Sequence, residues 1–187
     1  RHLLFTAINA GSPMAVRYPR GCGYGADIEE PLHNLPIGQA EMMREGSDIA
    51  IIASGFTVYP AIAAAEALLK EGKEAAVVNM LFVKPLDEEM LQRIAFSTRN
   101  ILTVEENVLS GGLGSRVAQT LHKYGLSDIN LKSIGVRDEF TVHGPQDILR
   151  KNYDLDSQGI FKNARLMLEH TTENGSCGGH KSQLSRG

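Results

Sequence analysis

Short apolar runs alternate with amphipathic segments between residues 49 and 170. Four runs have the composition of buried strands, namely IAIIAS (49–54), AAVVNM (75–80), ILTVEE (101–106) and INLKSIGV (129–136). Apolar residues at helical spacing follow each of the first three runs, and two more helices are predicted at 145–152 and 157–170. Strands that alternate with helices form βαβ units, so the pattern predicts an α/β fold with a mainly parallel sheet and helices on both faces.

Capping residues support the predicted helix boundaries. Thr57 and Asp87 each precede a helical segment and are residue types that favour the N-cap position. Gly72 and Gly125 follow helical segments, where glycine readily takes the left-handed conformation that ends a helix. Glu88 comes directly after Asp87, and an acid in the first turn is favoured by the helix dipole.

The segments outside this pattern are predicted to be irregular. Met14-Ala15-Val16 is predicted to end a strand, because Pro19 cannot donate a ladder hydrogen bond. Residues 26–48 are polar, include Pro31 and Pro36, and are predicted to form a linker. The tail, 171–187, has no periodicity and is predicted to be disordered.

Composition narrows the class of protein. The chain has 187 residues, 42% of them hydrophobic, and a formal net charge of −3, which excludes the basic footprint of a nucleic-acid binder. No apolar run approaches the roughly 20 residues that cross a membrane, and residues 1–13 are not a signal peptide.

Cys22 and Cys177 form no metal-spaced pair, which favours a reducing compartment, and the six histidines are scattered singly without metal-ligand spacing. Because no initiating Met is present, we expect the chain to begin inside a longer protein.

A glycine-rich turn leads from the third strand into a helix. Gly112-Leu113-Gly114 is similar to a dinucleotide-binding loop, but Val117 stands where the third glycine belongs and no acid follows at the expected distance. We therefore predict tight helix–sheet packing rather than nicotinamide binding. Glu105 and Glu106 end the strand and point to opposite faces, so at most one can face any given site.

The segment RYPRG holds two arginines, Arg17 and Arg20, at the predicted end of a strand. Guanidinium is the side chain best matched to phosphate or carboxylate, so the pair is either an anion site or a surface pair beside a turn. Residues three apart in an extended stretch face opposite sides, so only one of them should reach a given ligand.

Five segments together resemble the C-terminal part of the 1-deoxy-D-xylulose-5-phosphate synthase family, a branch of the transketolase-like thiamine diphosphate enzymes. They are AVRYPRG, LPIGQAEMMREGSDIAIIASG, VVNMLFVKPLDEEML, TVEENVLSGGLGS and IGVRDEFTVHG. The resemblance implies that residues 1–25 end a pyrimidine-binding domain, 26–48 link it to the next domain, and 49–170 form a transketolase C-terminal domain. It also implies a cytoplasmic homodimer that condenses pyruvate with glyceraldehyde 3-phosphate, releases carbon dioxide, and supplies isoprenoid, thiamine and pyridoxal biosynthesis.

The resemblance also assigns the arginines. It implies that one arginine of RYPRG holds the phosphate of the acceptor sugar, and we favour Arg17 over Arg20. The family's Gly-Asp-Gly…Asn segment, which holds magnesium and diphosphate, and its cofactor-activating glutamate do not occur in these residues. We therefore expect thiamine diphosphate and Mg²⁺ only in the full-length enzyme, no catalytic residue in this segment, and an inactive fragment.

Two other functions are compatible with the sequence. A β subunit of a 2-oxo acid dehydrogenase shares the C-terminal fold, although its substrates carry no phosphate for an arginine to bind. A non-catalytic assembly module is also compatible with the sequence, because the sequence contains no acid–base constellation. A Gly-Asp-Gly…Asn motif upstream on the same chain would favour the synthase.

Overall fold

The computed structural model describes residues 1–18 and 29–175, the side chains of 171–175 excepted. The described elements are α1 (His2–Asn9), β1 (Glu41–Arg44), β2 (Ile49–Ala53), a 3₁₀ turn (Gly55–Thr57), α2 (Val58–Lys70), β3 (Ala75–Asn79), α3 (Glu88–Ser97), β4 (Asn100–Val108), α4 (Leu113–Lys123), β5 (Asn130–Val136), α5 (Gln146–Asn152) and α6 (Ser157–Gly175). None of these helices has both the length and the apolar character needed to cross a bilayer.

The strands form one sheet in the order β1-β3-β2-β4-β5. β2 pairs in parallel with β3 and β4, and β4 pairs in parallel with β5. β1 lies antiparallel to β3 at one edge, with Glu41 opposite Asn79. The mainly parallel α/β sheet predicted from the sequence is confirmed. The sheet begins at residue 41, so β1 lies within the segment 26–48 that the sequence analysis assigned to a linker.

Alternate residues of the strands pack into two separate cores. On one face, Ile49, Ile51 and Val77 contact α2 and α6. On the other face, Ala50 and Ile52 contact α3 and α4. Because each central strand is covered on both sides, every residue of β2 must be buried, and all five are. This two-sided burial explains why the strands are continuous apolar runs rather than alternating patterns.

Several predicted helix boundaries match the structure. Gly72 and Gly125 have φ values of 72° and 68°, in the left-handed region that ends a helix. Thr57 precedes α2, but its hydroxyl is buried and donates to the carbonyls of Ser54 and Val104 instead of capping α2. α6 continues to Gly175, so the first five residues of the predicted disordered tail are helical, and 176–187 lie outside the described residues.

The predicted strand at Met14–Val16 is wrong. Residues 13–18 have no regular secondary structure, and none of the five strands pairs with them. A strand needs a neighbour to satisfy its N–H and C=O groups, and the described part of the chain offers these residues none. Residues 2–9 form α1 instead, a helix that the sequence analysis did not predict.

Asp87 connects two elements as well as capping α3. Its Oδ1 accepts from the amide of Met90 at 2.8 Å, and its Oδ2 accepts from the amide of Ala40 at 2.7 Å, just before β1. We expect Asp87→Ala to lower the free energy of unfolding by about 1–2 kcal/mol, since loss of an N-cap alone costs about this much. Urea unfolding measures the change, with Asp138→Ala in an exposed loop as the control. An equal effect of the two substitutions would contradict this role.

Candidate functional site

The carboxyl ends of β2 and β4 meet at one edge of the sheet, where parallel α/β folds usually gather their ligand sites. The 3₁₀ turn with Phe56 follows β2, and Glu105 and Glu106 lie in the last half of β4. Arg150 reaches this edge from α5, and Arg17 reaches it from the segment before the undescribed residues. Arg17 and Arg150 therefore both contact Glu106 at this edge.

Arg150 is held against Glu106 and Phe56. Its Nε donates to the Glu106 carboxylate, and both side chains are mostly buried, with 16% and 20% of their surfaces exposed. The guanidinium carbon lies 3.4 Å from the centroid of the Phe56 ring, a cation–π stack. A planar guanidinium can make this stack and the ion pair together, which a lysine ammonium cannot. Glu106, Arg150 and Phe56 thus form a packed cluster near the end of β4, the Glu106–Arg150–Phe56 floor.

Arg17 lies beside this floor and is exposed to solvent. Its guanidinium donates to the backbone carbonyl of Glu106, at the end of β4. A guanidinium carries five N–H donors, so this contact uses only part of its capacity and leaves donors for an anion. The structure therefore brings Arg17 to the edge where a ligand site is expected, while Arg20 lies outside the described residues.

Glu105 points the other way and caps α4. It is buried, with 2% of its surface exposed. Its Oε2 accepts from the amide of Leu113 at 2.8 Å and its Oε1 from the amide of Gly114 at 2.9 Å. These amides are the first donors of α4, which have no partner within the helix, and the negative charge also complements the helix dipole.

The glycines of the turn make room for this carboxylate. A Cβ at Gly112 would lie 2.3 Å from Oε2 of Glu105 and 2.6 Å from the carbonyl oxygen of Val108. A Cβ at Gly114 would lie 2.3 Å from the Ser133 hydroxyl, against the sheet. The turn therefore serves close helix–sheet packing, as predicted, and the end of α4 that a phosphate would need is filled by the chain's own carboxylate.

Burial is the main influence on the ionisation of Glu105. It raises the pKa of this carboxyl above the ordinary value, although the amides of Gly114 and Leu113 and the positive charge of Arg17 oppose the shift. A buried acid with a raised pKa is often catalytic. Here both oxygens are engaged by backbone amides, so the geometry favours a structural role.

The described residues do not fit thiamine diphosphate. The first amides of α4, which could otherwise bind a diphosphate, are occupied by Glu105. Among the described residues, no group of three His, Cys, Asp or Glu side chains that could hold a metal ion lies at the sheet edge.

Sequence analysis singled out Arg17, Arg20, Glu105 and Glu106 but did not identify Phe56 or Arg150. Arg150 lies 44 residues from Glu106 along the chain, and no local motif marks it. The one signal in the sequence is its position after β5 in an amphipathic segment, which is too common to single out a site residue.

Comparison with known proteins shows which protein family this chain resembles. The family described as "Transketolase, C-terminal domain" matches residues 38–160. The 1-deoxy-D-xylulose-5-phosphate synthase of Dehalococcoides mccartyi strain CBDB1 is 46% identical over 174 residues, which are 92% of this chain and 27% of that protein. The 1-deoxy-D-xylulose-5-phosphate synthase 1 of Geobacter metallireducens is 45% identical over 169 residues, 90% of this chain and 27% of that protein. The chain thus spans about a quarter of the length of these relatives.

Solved structures agree with this match. A protein described as a split-gene transketolase in an inactive beta4 tetramer has a TM-score of 0.68 and 34% identity, over 73% of this chain and 44% of that chain. A transketolase from Pichia stipitis, 19% identical with a TM-score of 0.54 over 73% of this chain and 19% of that chain, shares the fold. Because the family match spans residues 38–160, well over half of the chain, this chain belongs to the family of transketolase C-terminal domains.

Proposed function

We propose that the chain is the C-terminal part of an enzyme that condenses pyruvate with glyceraldehyde 3-phosphate, releases carbon dioxide and forms 1-deoxy-D-xylulose 5-phosphate. The observation that carries this proposal is the identity of 46% over 92% of the chain to a synthase of that name. Thiamine diphosphate and Mg²⁺ would be held by residues elsewhere in the full-length protein. When bound, the cofactor supplies the carbanion chemistry that decarboxylation of pyruvate requires.

This chain's own contribution would be to hold the acceptor. Arg17 is exposed at the carboxyl edge of the sheet and has guanidinium donors beyond the one given to Glu106. Phosphate is the ligand that a guanidinium binds best, through paired charge-assisted hydrogen bonds. The Glu106–Arg150–Phe56 floor would hold the end of β4 rigid, so that the backbone carbonyl beneath Arg17 keeps its place.

The substrate chemistry favours the synthase over a 2-oxo acid dehydrogenase β subunit. A dehydrogenase passes its acyl group to a lipoyl partner and needs no phosphate site, whereas an exposed arginine at the sheet edge suits a phosphorylated acceptor. We also propose that the full-length protein is a cytoplasmic homodimer, as the family resemblance implies.

The proposal is tested on the full-length protein that contains this sequence. Supplied with pyruvate, glyceraldehyde 3-phosphate, thiamine diphosphate and Mg²⁺, it should release carbon dioxide and form a five-carbon sugar phosphate. The 187-residue chain alone should do neither, which makes it the matched control. Transfer of the acyl group to a lipoyl domain, without use of the aldehyde, would instead identify a dehydrogenase subunit. Absence of both reactions would favour an assembly module.

A further inference from the structure

α1 rests on the segment that follows the undescribed residues. Leu35 donates its amide to the Thr6 hydroxyl at 2.8 Å, and the Asn9 amide group lies 3.4 Å from the side-chain oxygen of Asn34. Thr6 and Asn9 share one face of the helix with His2, because residues three and four apart lie on the same side. His2 therefore lies on the face of α1 that contacts the segment 30–35.

Three side chains with metal-binding atoms meet at this junction. The rings of His2 and His33 have centroids 4.0 Å apart. Nε2 of His2 lies 3.8 Å from Oε2 of Glu30. One donor atom from each of the three residues lies within 4.8 Å of the other two. Within the described ranges, the cluster is formed by α1 and the irregular segment that follows the undescribed residues.

We propose that His2, Glu30 and His33 form a site for a divalent transition-metal ion, with Zn²⁺ as the ion that best suits these ligands. Two imidazole nitrogens and one carboxylate oxygen, with a position left for water, are a common open zinc set. Imidazole ligands select zinc, copper or nickel over calcium and magnesium, which prefer oxygen. The sequence analysis found only scattered histidines, because His2 and His33 are 31 residues apart.

Binding an ion would require the side chains to rotate, because the two imidazole rings lie nearly stacked, with centroids 4.0 Å apart. Ligand atoms about 2.0–2.2 Å from a tetrahedral zinc lie about 3.4 Å from one another, somewhat closer than in this cluster. Glu30 and His33 are both exposed, so their side chains can turn towards His2 without disturbing a core. His2 would bind through Nε2, the atom that faces Glu30. Its proton would then sit on Nδ1, and the long 3.4 Å contact from the His33 amide would be given up.

Such an ion would join α1 to the segment leading into β1. The resemblance places this junction between two domains, so a metal here would restrain how one is attached to the other. This consequence does not depend on the proposed reaction, and metal binding can be measured without it.

Calorimetric titration of the untagged 187-residue chain with ZnCl₂ tests the proposal. Cys22 and Cys177 are first replaced by serine, because thiolates bind zinc more tightly than imidazoles do. We expect one Zn²⁺ per chain. His33→Gln and His2→Gln should each lower the zinc affinity at least about tenfold, since even mutation of a residue that only hydrogen-bonds a metal ligand costs about that much affinity. Glu30→Gln should also weaken binding. His122→Gln and His143→Gln, both exposed and outside the cluster, are matched controls and should bind as the parent does.

Co²⁺ absorption identifies the ligands independently. Visible bands of four-coordinate Co²⁺ should appear on titration of the parent protein and be lost in His33→Gln. His33 is exposed, so its replacement should leave the circular dichroism spectrum unchanged and keep the test interpretable. Zinc affinity that is equal in the parent and in His33→Gln would overturn the proposal, as would the absence of binding below millimolar Zn²⁺. Loss of binding in His122→Gln or His143→Gln would overturn it as well.

Discussion

Glu105→Gln should lower the free energy of unfolding of the domain by about 1.5–3 kcal/mol, the usual value of a hydrogen bond to a charged group. A glutamine offers one acceptor oxygen where the carboxylate offers two. One of the amides of Leu113 and Gly114 would then face an NH₂ group, leaving a buried donor without a partner.

Chemical denaturation of the wild type and the variant measures this effect. Glu66→Gln is the matched control, because Glu66 is an exposed glutamate in the middle of α2, and it should change stability by less than about 0.5 kcal/mol. Glu105→Gln with wild-type stability would show that the carboxylate does not anchor the helix.

The stability difference should also depend on pH. Because burial raises the pKa of Glu105, the folded state binds this proton more tightly than the unfolded state does. Stability falls with rising pH wherever the folded state holds more protons. The wild type should therefore lose stability relative to Glu105→Gln as the pH rises from the ordinary glutamate pKa through the raised one. If the wild type instead gained stability relative to Glu105→Gln over the same pH interval, the result would contradict the direction of the pKa shift.

The parts of the fold that were predictable are those buried on both faces. β2 is apolar at every position because α2 and α6 cover one side and α3 and α4 the other, so its composition alone identifies it. β1 lies at the sheet edge and alternates between exposed and half-buried residues. Four residues of mixed polarity carry too little periodicity to be recognised, which is why this strand was placed in a linker.

The candidate site was predictable only where its contacts are local. Glu105 and Gly114 are nine residues apart, and the glycine-rich turn between them was recognised as a packing feature. Arg17 and Glu106 are 89 residues apart, and nothing in either segment specifies the other. A contact between residues so far apart in sequence depends on the order of the strands and on where later segments return to the sheet. It can therefore be identified only once the fold is known.

Arg17→Ala in the full-length enzyme should reduce kcat/KM for glyceraldehyde 3-phosphate by roughly 10- to 150-fold, which corresponds to loss of about 1.5–3 kcal/mol for a charged hydrogen-bonding partner. The physical reason is that the exposed guanidinium at the sheet edge, placed by the carbonyl of Glu106, would meet the phosphate of the acceptor. The KM for pyruvate, which carries no phosphate, should change little. Arg17→Lys should recover part of the loss, because an ammonium keeps the charge but not the planar fork.

A substrate without the phosphate separates recognition from structural support. With D-glyceraldehyde as the acceptor, the wild type and Arg17→Ala should have nearly the same kcat/KM, because neither enzyme has a phosphate to bind. Arg93→Ala, on the exposed side of α3, is the control for a general loss of positive charge. An equal loss with both acceptors would show that Arg17 supports the end of β4 instead of binding substrate. A larger loss from Arg20→Ala than from Arg17→Ala would show that the other arginine of RYPRG holds the phosphate.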